Sequence, residues 1–331
     1  MIEEIKNRTI GRMVFDILDP FCENERLTNE DKKNIKEVII GQIDEGRQCL
    51  EYLANIIMKE ITRVEFVRLP VSNMAESWMA IFNNLPQLYE EKMKRDMKKA
   101  MGKRNKSEEI RQYEFIEEYR QGKKKQRYDS LLNIPLDMVI YHVKRNEKKY
   151  EPPFLIYRVK KIGKVAFKTA KRICEEENRI KKDIRKGAKL TEDAIKTRIR
   201  ENSIVEDIFG MKCVVYEDMS LCDRIVEYLS KTYGILEDEN YYLIGHPKKR
   251  EYRARHIKVN IPGYVITNPR EKSTICEDYL VEMQFLKLKD FLNNEFWELN
   301  HPSKDMRDFN RMCKSKKFRE FYEKAGFLCG I

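Results

Sequence analysis

Through "LTNEDKKNIKEVIIGQIDEGRQCLEYLANIIMKEI" apolar residues return at helical spacing. Ile35, Val38, Ile39, Ile43, Leu50, Leu53 and Ile57 share one face, which predicts a long amphipathic helix or helix pair. Thr28, with Asp31 three residues on, fits a capping position at its start. Residues 70–90 form a Pro-punctuated apolar passage. Further along, "GKVAFKTAKRICEEENRIKKDIRKGAKLTEDAIKTRIREN" reads as one or two Lys/Arg-rich helices.

After residue 200 the period changes. "MKCVVY" is a short β-rich run, and "SLCDRIVEYLSKTYG" is a helix with Ser220 and Asp223 as a capping pair and Gly234 as its stop. "YYLIG" reads as another short strand. "HIKVNI" then alternates, with Ile257, Val259 and Ile261 on one face and His256, Lys258 and Asn260 on the other. "YLVEMQFLKL" does the same, setting Tyr279, Val281, Met283 and Phe285 against Glu282 and Gln284. The pattern predicts an α+β fold: a mixed β-sheet with a covering helix, polar side chains on one open face, and a largely α-helical N-terminal region. The Pro pair in "YEPPFLIYRV" marks a junction, so the expected division is a helical, basic region over 1–150, a sheet domain over 151–310 and a C-terminal helix over 311–331.

A chain of 331 residues, 41% hydrophobic and 37% charged, can bury a full core, which excludes a disordered or fibrous protein. Its 66 Lys and Arg against 55 Asp and Glu leave a charge of +11, which favours polyanions such as RNA or nucleotide phosphates as partners. Basic stretches at 92–106 and 123–127 sharpen that expectation. The eight cysteines show no CxxC or zinc spacing and read as reduced core residues. With no signal-peptide core and no membrane-length apolar run, the expectation is a cytoplasmic protein that does not enter a membrane.

The common nucleotide and hydrolase motifs, GxxxxGK[ST], GxGxxG, HExxH and GxSxG, are absent. What remains is a pair of carboxylates. Asp207 stands just before a strand in "VEDIFGMKCVV", and Glu282 lies mid-strand, pointing away from the apolar face. Each alone would read as a cap or surface group. Together, on one sheet face among many cations, they suit Mg²⁺-dependent phosphoryl or nucleotidyl transfer, in which oxygen ligands hold the ion and Lys and Arg offset phosphate charge.

The ordered set "DIFGMK" (207–212), "PKKREYRARH" (247–256) and "VEMQ" (281–284) resembles the synthetase domain of the RelA/SpoT family across residues 160–305. The resemblance implies a nucleotidyltransferase-like core and a pyrophosphokinase that moves the β,γ-pyrophosphate of ATP to a 3′-hydroxyl, as in alarmone synthesis during the stringent response. It makes Asp207 and Glu282 the catalytic and Mg²⁺-binding acids. Tyr252 would stack on the acceptor base, with Lys248, Arg253, His256 and Gln284 beside it. Lys212 and the upstream cations Arg179, Lys181, Lys189, Lys196 and Arg198 would serve ATP.

Four positions depart from the family's pattern: Glu251 replaces a Gly, Ala254 a Ser, Lys212 an Arg and Tyr242 an acid. No "HD" pair exists, so no hydrolase site is expected. Three functions fit: an alarmone-type synthetase acting on GDP or GTP, a toxin that pyrophosphorylates the 3′ end of tRNA, and a catalytically silent RNA-binding or regulatory protein. An antitoxin or a second copy of the chain is a further possible partner.

Overall fold

The computed structural model describes residues 9–21, 27–83, 91, 94–95, 114, 116–123, 135–145, 149–245, 252–263, 278–296 and 301–328. The basic stretches at 92–106 and 123–127 fall almost wholly outside them, as do Lys248 and Glu251.

Seven strands form one mixed sheet: β1 (Phe66–Asn73), β2 (Pro135–Arg145), β3 (Lys149–Val159), β4 (Phe209–Val215), β5 (Glu237–Asn240), β6 (Arg255–Pro262) and β7 (Asp278–Lys287), in the order β1-β2-β3-β4-β7-β6-β5. Neighbours run antiparallel except β4 and β7, whose parallel register sets Gly210 beside Glu282 and Lys212 beside Gln284. The predicted α+β architecture is present.

Strand alternation divides the interior into two layers. One face buries Tyr157, Val159, Phe209, Met211, Ile257, Val259, Val281 and Met283 beneath α1 (Ile10–Leu18), α2 (Asn29–Ile56), α4 (Ile162–Arg185), α6 (Ser220–Thr232) and α9 (Lys316–Lys324). The opposite face packs Ile140, Phe154, Ile156, Val214 and Leu286 against α3 (Met74–Asn83) and α7 (Leu288–Phe296). Between β4 and β6 that second face turns polar.

α2 is the helix that the first pattern predicts. Thr28 and Asp31 form a reciprocal capping box, and Ile35, Ile39, Ile43, Leu50, Leu53 and Ile57 are buried. It crosses the sheet closely at Gly46, where a Cβ would stand 2.1 Å from the Phe209 ring. Gly11 of α1 likewise meets the carbonyl of Val205, two residues before Asp207. The N-terminal region thus underpins the loop that carries the first carboxylate.

The junction expected near residue 150 is the β2–β3 hairpin. Strands from both sides of it share one sheet, and Pro152 and Pro153 sit where the β2–β3 register shifts, a place that tolerates their missing N–H groups. The Lys/Arg-rich passage after it is two helices, α4 and α5 (Glu192–Ser203), broken at Gly187 with φ +96° and restarted by the Thr191 cap. At the C-terminus, α8 (His301–Met312) precedes α9, and a 3₁₀ turn follows at Gly326–Leu328.

Two local expectations are corrected. "YYLIG" is a turn rather than a strand. The strand is the preceding "EDEN", because the side chain of Asn240 accepts from the Tyr242 N–H at 3.1 Å, its carbonyl accepts from that of Leu243 at 3.0 Å, and Gly245 takes φ +67°. Ser220 and Asp223 do not form a capping box. Asp218 instead accepts from the Ser220 N–H at 2.9 Å and its hydroxyl at 2.7 Å, while Asp223 pairs with Arg255. Gly234 does stop α6, at φ +75°.

Candidate functional site

Asp207 sits in the turn between α5 and β4, tied to the end of β3 by the Lys160 N–H, which donates to the Ile208 carbonyl at 3.0 Å. The Lys160 ammonium, only 7% exposed, donates to both the carboxylate and the carbonyl of Asp207. Lys168 approaches the same carboxylate at 3.9 Å, and the charge of Arg172 reaches it as well. Burial alone would raise the Asp207 carboxyl, but Lys160 and Lys168 overrule it and hold it at about 2. Burial pulls Lys160 down to about 7, against the opposing pull of Asp207.

Glu282 lies on β7, one strand over, within electrostatic reach of Asp207. Burial and the Asp207 charge push its carboxyl up; the bond from His256 and the charge of Lys160 bring it below the usual carboxylate range. Nδ1 of His256 lies 3.2 Å from Oε1 of Glu282, and Nε2 of His256 lies 2.6 Å from the Tyr252 hydroxyl. The Gln284 amide faces the other Glu282 oxygen at 3.4 Å. Beside these groups a cleft opens under α3 and α7, lined by Arg158, Lys212, Glu282, Gln284 and Glu295 with Trp78 among its apolar walls.

The structure brings together Asp207, Glu282, Tyr252, His256 and Gln284. Tyr252 is half-buried, its ring 5.9 Å from that of Tyr241 and 5.7 Å from that of His256. Arg253 donates to the Tyr252 carbonyl at 3.1 Å. Lys212 reaches the cleft but is paired with Glu295, its ammonium 5.9 Å from the Phe291 ring. Ala254 is fully buried among apolar neighbours, where a serine hydroxyl would need a partner. The Tyr242 hydroxyl donates to Asp290 at 2.9 Å and accepts from the Lys287 N–H at 2.9 Å, fastening its turn to the start of α7.

The five upstream cations lie on the α4–α5 hairpin. Arg198 and Arg179 clasp the buried Glu176 at 2.7 and 2.8 Å, Lys196 pairs with Glu192 at 2.6 Å, and Lys181 and Lys189 are exposed. Arg179 stands about 16 Å of helix beyond Lys168. The cations that meet Asp207 are Lys160, just past the end of β3, and Lys168 and Arg172, from the first half of α4, and Arg158 enters the cleft from β3. For Arg158 a signal existed: in "IYRVK" it alternates with the apolar Tyr157 and Val159 and so must take the polar face. For Lys160 there was none, because its partner is set by strand pairing.

Among the described residues no three His, Cys, Asp or Glu side chains gather as a metal cage, and no helix is long and apolar enough to cross a membrane. No family model matches the chain, and no curated protein matches it. Solved structures do. The chain is similar to small alarmone synthetases. Small alarmone synthetase 1 from Bacillus subtilis is 18% identical over 53% of this chain and 72% of that one, with a TM-score of 0.25. The same synthetase bound to its product pppGpp is 18% identical over 52% and 70%, with a TM-score of 0.24.

Proposed function

We propose that the protein is a pyrophosphokinase that transfers the β,γ-pyrophosphate of ATP to the 3′-hydroxyl of a guanine nucleotide. The observation that carries this reading is the convergence of Asp207, of Tyr252 with His256, and of Glu282, described residues of the three motifs, beside the polar face of the sheet. Asp207 and Glu282, far apart in sequence, feel each other's charge, with Lys160, Lys168 and Arg172 around the first and His256 and Tyr252 behind the second.

The chemistry follows from charge. The acceptor 3′-oxygen attacks the β-phosphorus, the bond from that phosphorus to the oxygen bridging it to the α-phosphorus breaks, and AMP leaves with the bond's electron pair. Glu282, kept ionised by His256 and Lys160, takes the hydroxyl proton. Lys160, Lys168, Arg172 and Arg158 offset the negative charge of the phosphates. Two neighbouring carboxylates, with no third His, Cys, Asp or Glu gathered beside them among the described residues, suit Mg²⁺, which commonly uses one or two carboxylates together with substrate phosphates. Asp207 and Glu282 would hold that ion, and when bound it would supply Lewis-acid stabilisation of the transferring group.

The test is purified protein with γ-labelled ATP and, in separate reactions, GDP, GTP, ATP or deacylated tRNA. Label in a guanine nucleotide is expected. Label in tRNA would move the acceptor to RNA, and no label with folded protein would leave a binding protein. Asp207→Ala and Glu282→Ala are each expected to abolish transfer; activity retained in both would refute the assigned site.

A further inference from the structure

We propose that the tip of the α4–α5 hairpin is a docking arm for duplex RNA, which it holds by the phosphodiester backbone. Residues 179–189 set six cations against one acid, a net +5 of the chain's +11. Lys181, Lys182, Arg185, Lys186 and Lys189 are exposed, and none of them forms an ion pair among the described residues. The one acid, Asp183, is taken by Arg198 at 2.9 Å. Other surface lysines are matched: Lys196 meets Glu192 at 2.6 Å, Lys231 meets Glu227 at 2.6 Å and Lys317 meets Glu177 at 2.5 Å.

The helix dipole favours cations in a last turn, which accounts for Lys182 and Arg185. It does not account for Lys186 and Lys189, at and past the end of the helix. Nor does it account for like charges four residues apart, Lys181 with Arg185 and Lys182 with Lys186, a spacing that destabilises a helix. The tip is firm all the same. Gly187 turns the chain at φ +96°, the N–H groups of Gly187 and Ala188 donate to the Ile184 and Asp183 carbonyls at 2.9 and 3.0 Å, and Arg198 braces α5 to Glu176 and Asp183. A backbone already ordered has no ordering to lose on binding.

The partner follows from the shape of the tip and from what it lacks. No aromatic residue lies between 179 and 190, so there is no platform for unpaired bases. The apolar side of α4, with Ile173 and Ile180, is buried in the core and leaves Ile184 as its exposed apolar residue, too little to enter a lipid surface. The cations form two rows roughly 100° apart around the axis, Lys181 with Arg185 and Lys182 with Lys186. Two rows fit the two rims of a narrow groove, and the major groove of an RNA duplex is deep and narrow, whereas that of DNA is about 12 Å wide. Lys186 stands roughly 27 Å of helix beyond Lys168, so a nucleotide at Asp207 does not reach the tip, and the inference is independent of the proposed transfer.

The test is fluorescence anisotropy of the full-length chain with an RNA duplex of about 20 base pairs between about 50 and 200 mM salt, where five phosphate contacts predict that log Kd rises with log salt at a slope of about four. The variant Lys181→Gln, Lys182→Gln, Arg185→Gln, Lys186→Gln, Lys189→Gln should lose most of that slope and bind at least about a hundredfold more weakly at the lower salt. A control with the same loss of charge, Arg68→Gln, Lys231→Gln, Arg311→Gln, Lys316→Gln, Lys317→Gln, removes paired cations instead and should stay within about threefold of wild type. Lys186→Gln with Lys189→Gln leaves α4 itself untouched and should lower the slope by about two. No binding by the wild type, an equal loss in the control, or an unchanged slope in the double variant overturns the inference. Tighter binding to a DNA duplex, to an unpaired RNA strand or to phosphatidylserine vesicles than to the RNA duplex overturns it too.

Discussion

On one face of the sheet Val159, Met211, Ile257 and Val281 are buried under helices; one residue away along the same strands, on the other face, stand Arg158, Lys212, His256 and Glu282. Burying each apolar side chain contributes roughly 1.5–3 kcal/mol. The charged set contributes nothing comparable. Lys160 is so desolvated that its ammonium is pulled to about 7, and Glu282 keeps its charge only through His256 and Lys160. A chain that stabilises itself with one face can hold costly charges on the other.

The largest effect that would break this contrast is at Glu282. Glu282→Gln preserves shape and removes the charge. Transfer is expected to fall by roughly 10³-fold, within the range for a lost proton acceptor, while unfolding free energy changes by less than about 1 kcal/mol. The two are read side by side from the transfer assay and from urea unfolding. A variant that loses several kcal/mol yet keeps its activity would mean that this face is a core like the other.

How much of each face was legible in the sequence follows from the same contrast. The apolar face repeats one rule on every strand, so "HIKVNI" and "YLVEMQFLKL" were readable from alternation alone, as was α2 from its heptad-like recurrence. On the polar face, Asp207, Glu282 and His256 were reached through motifs. Lys160 was not, since it meets Asp207 across the end of the β3–β4 pair and no spacing encodes that contact. β1 and β2 are not legible in the sequence for another reason. They lie within a region whose helices dominate the pattern, and β1 is an edge strand that carries Pro70 and exposes much of its length, so it lacks a clean alternation.

The next effect sharpens the contrast at the margin of the second face. His142, on β2, is 1% exposed with its ring edge-on to Phe154 at 5.4 Å, and burial lowers its pKa to about 4. An unfolded histidine takes a proton below about pH 6.5, whereas the folded one resists until about pH 4. Its contribution is therefore fully present above pH 6.5 and lost as the pH falls through that window, by about 3 kcal/mol in all. His142→Phe should flatten the stability profile between pH 6.5 and 4 by that amount, as measured by urea unfolding across the range. An unchanged slope would assign the acid sensitivity to other groups.

The smallest effect lies on the apolar face and should separate stability from chemistry in the opposite sense to Glu282. At Gly46, α2 approaches β4 so closely that the first side-chain carbon would meet the Phe209 ring, itself buried and packed edge-on against Tyr279 at 5.5 Å. Gly46→Val forces that ring to move, at a cost of about 2 kcal/mol, the scale of overpacking in a close-packed core. Phe209 and Gly210 adjoin on β4, but their side positions point to opposite faces, so the displacement is absorbed beneath the sheet rather than at Glu282. The variant should unfold at lower urea while its transfer rate per folded molecule stays within about twofold of wild type. A rate that falls with the stability would show that the helical layer sets the geometry of the carboxylates as well as supporting them.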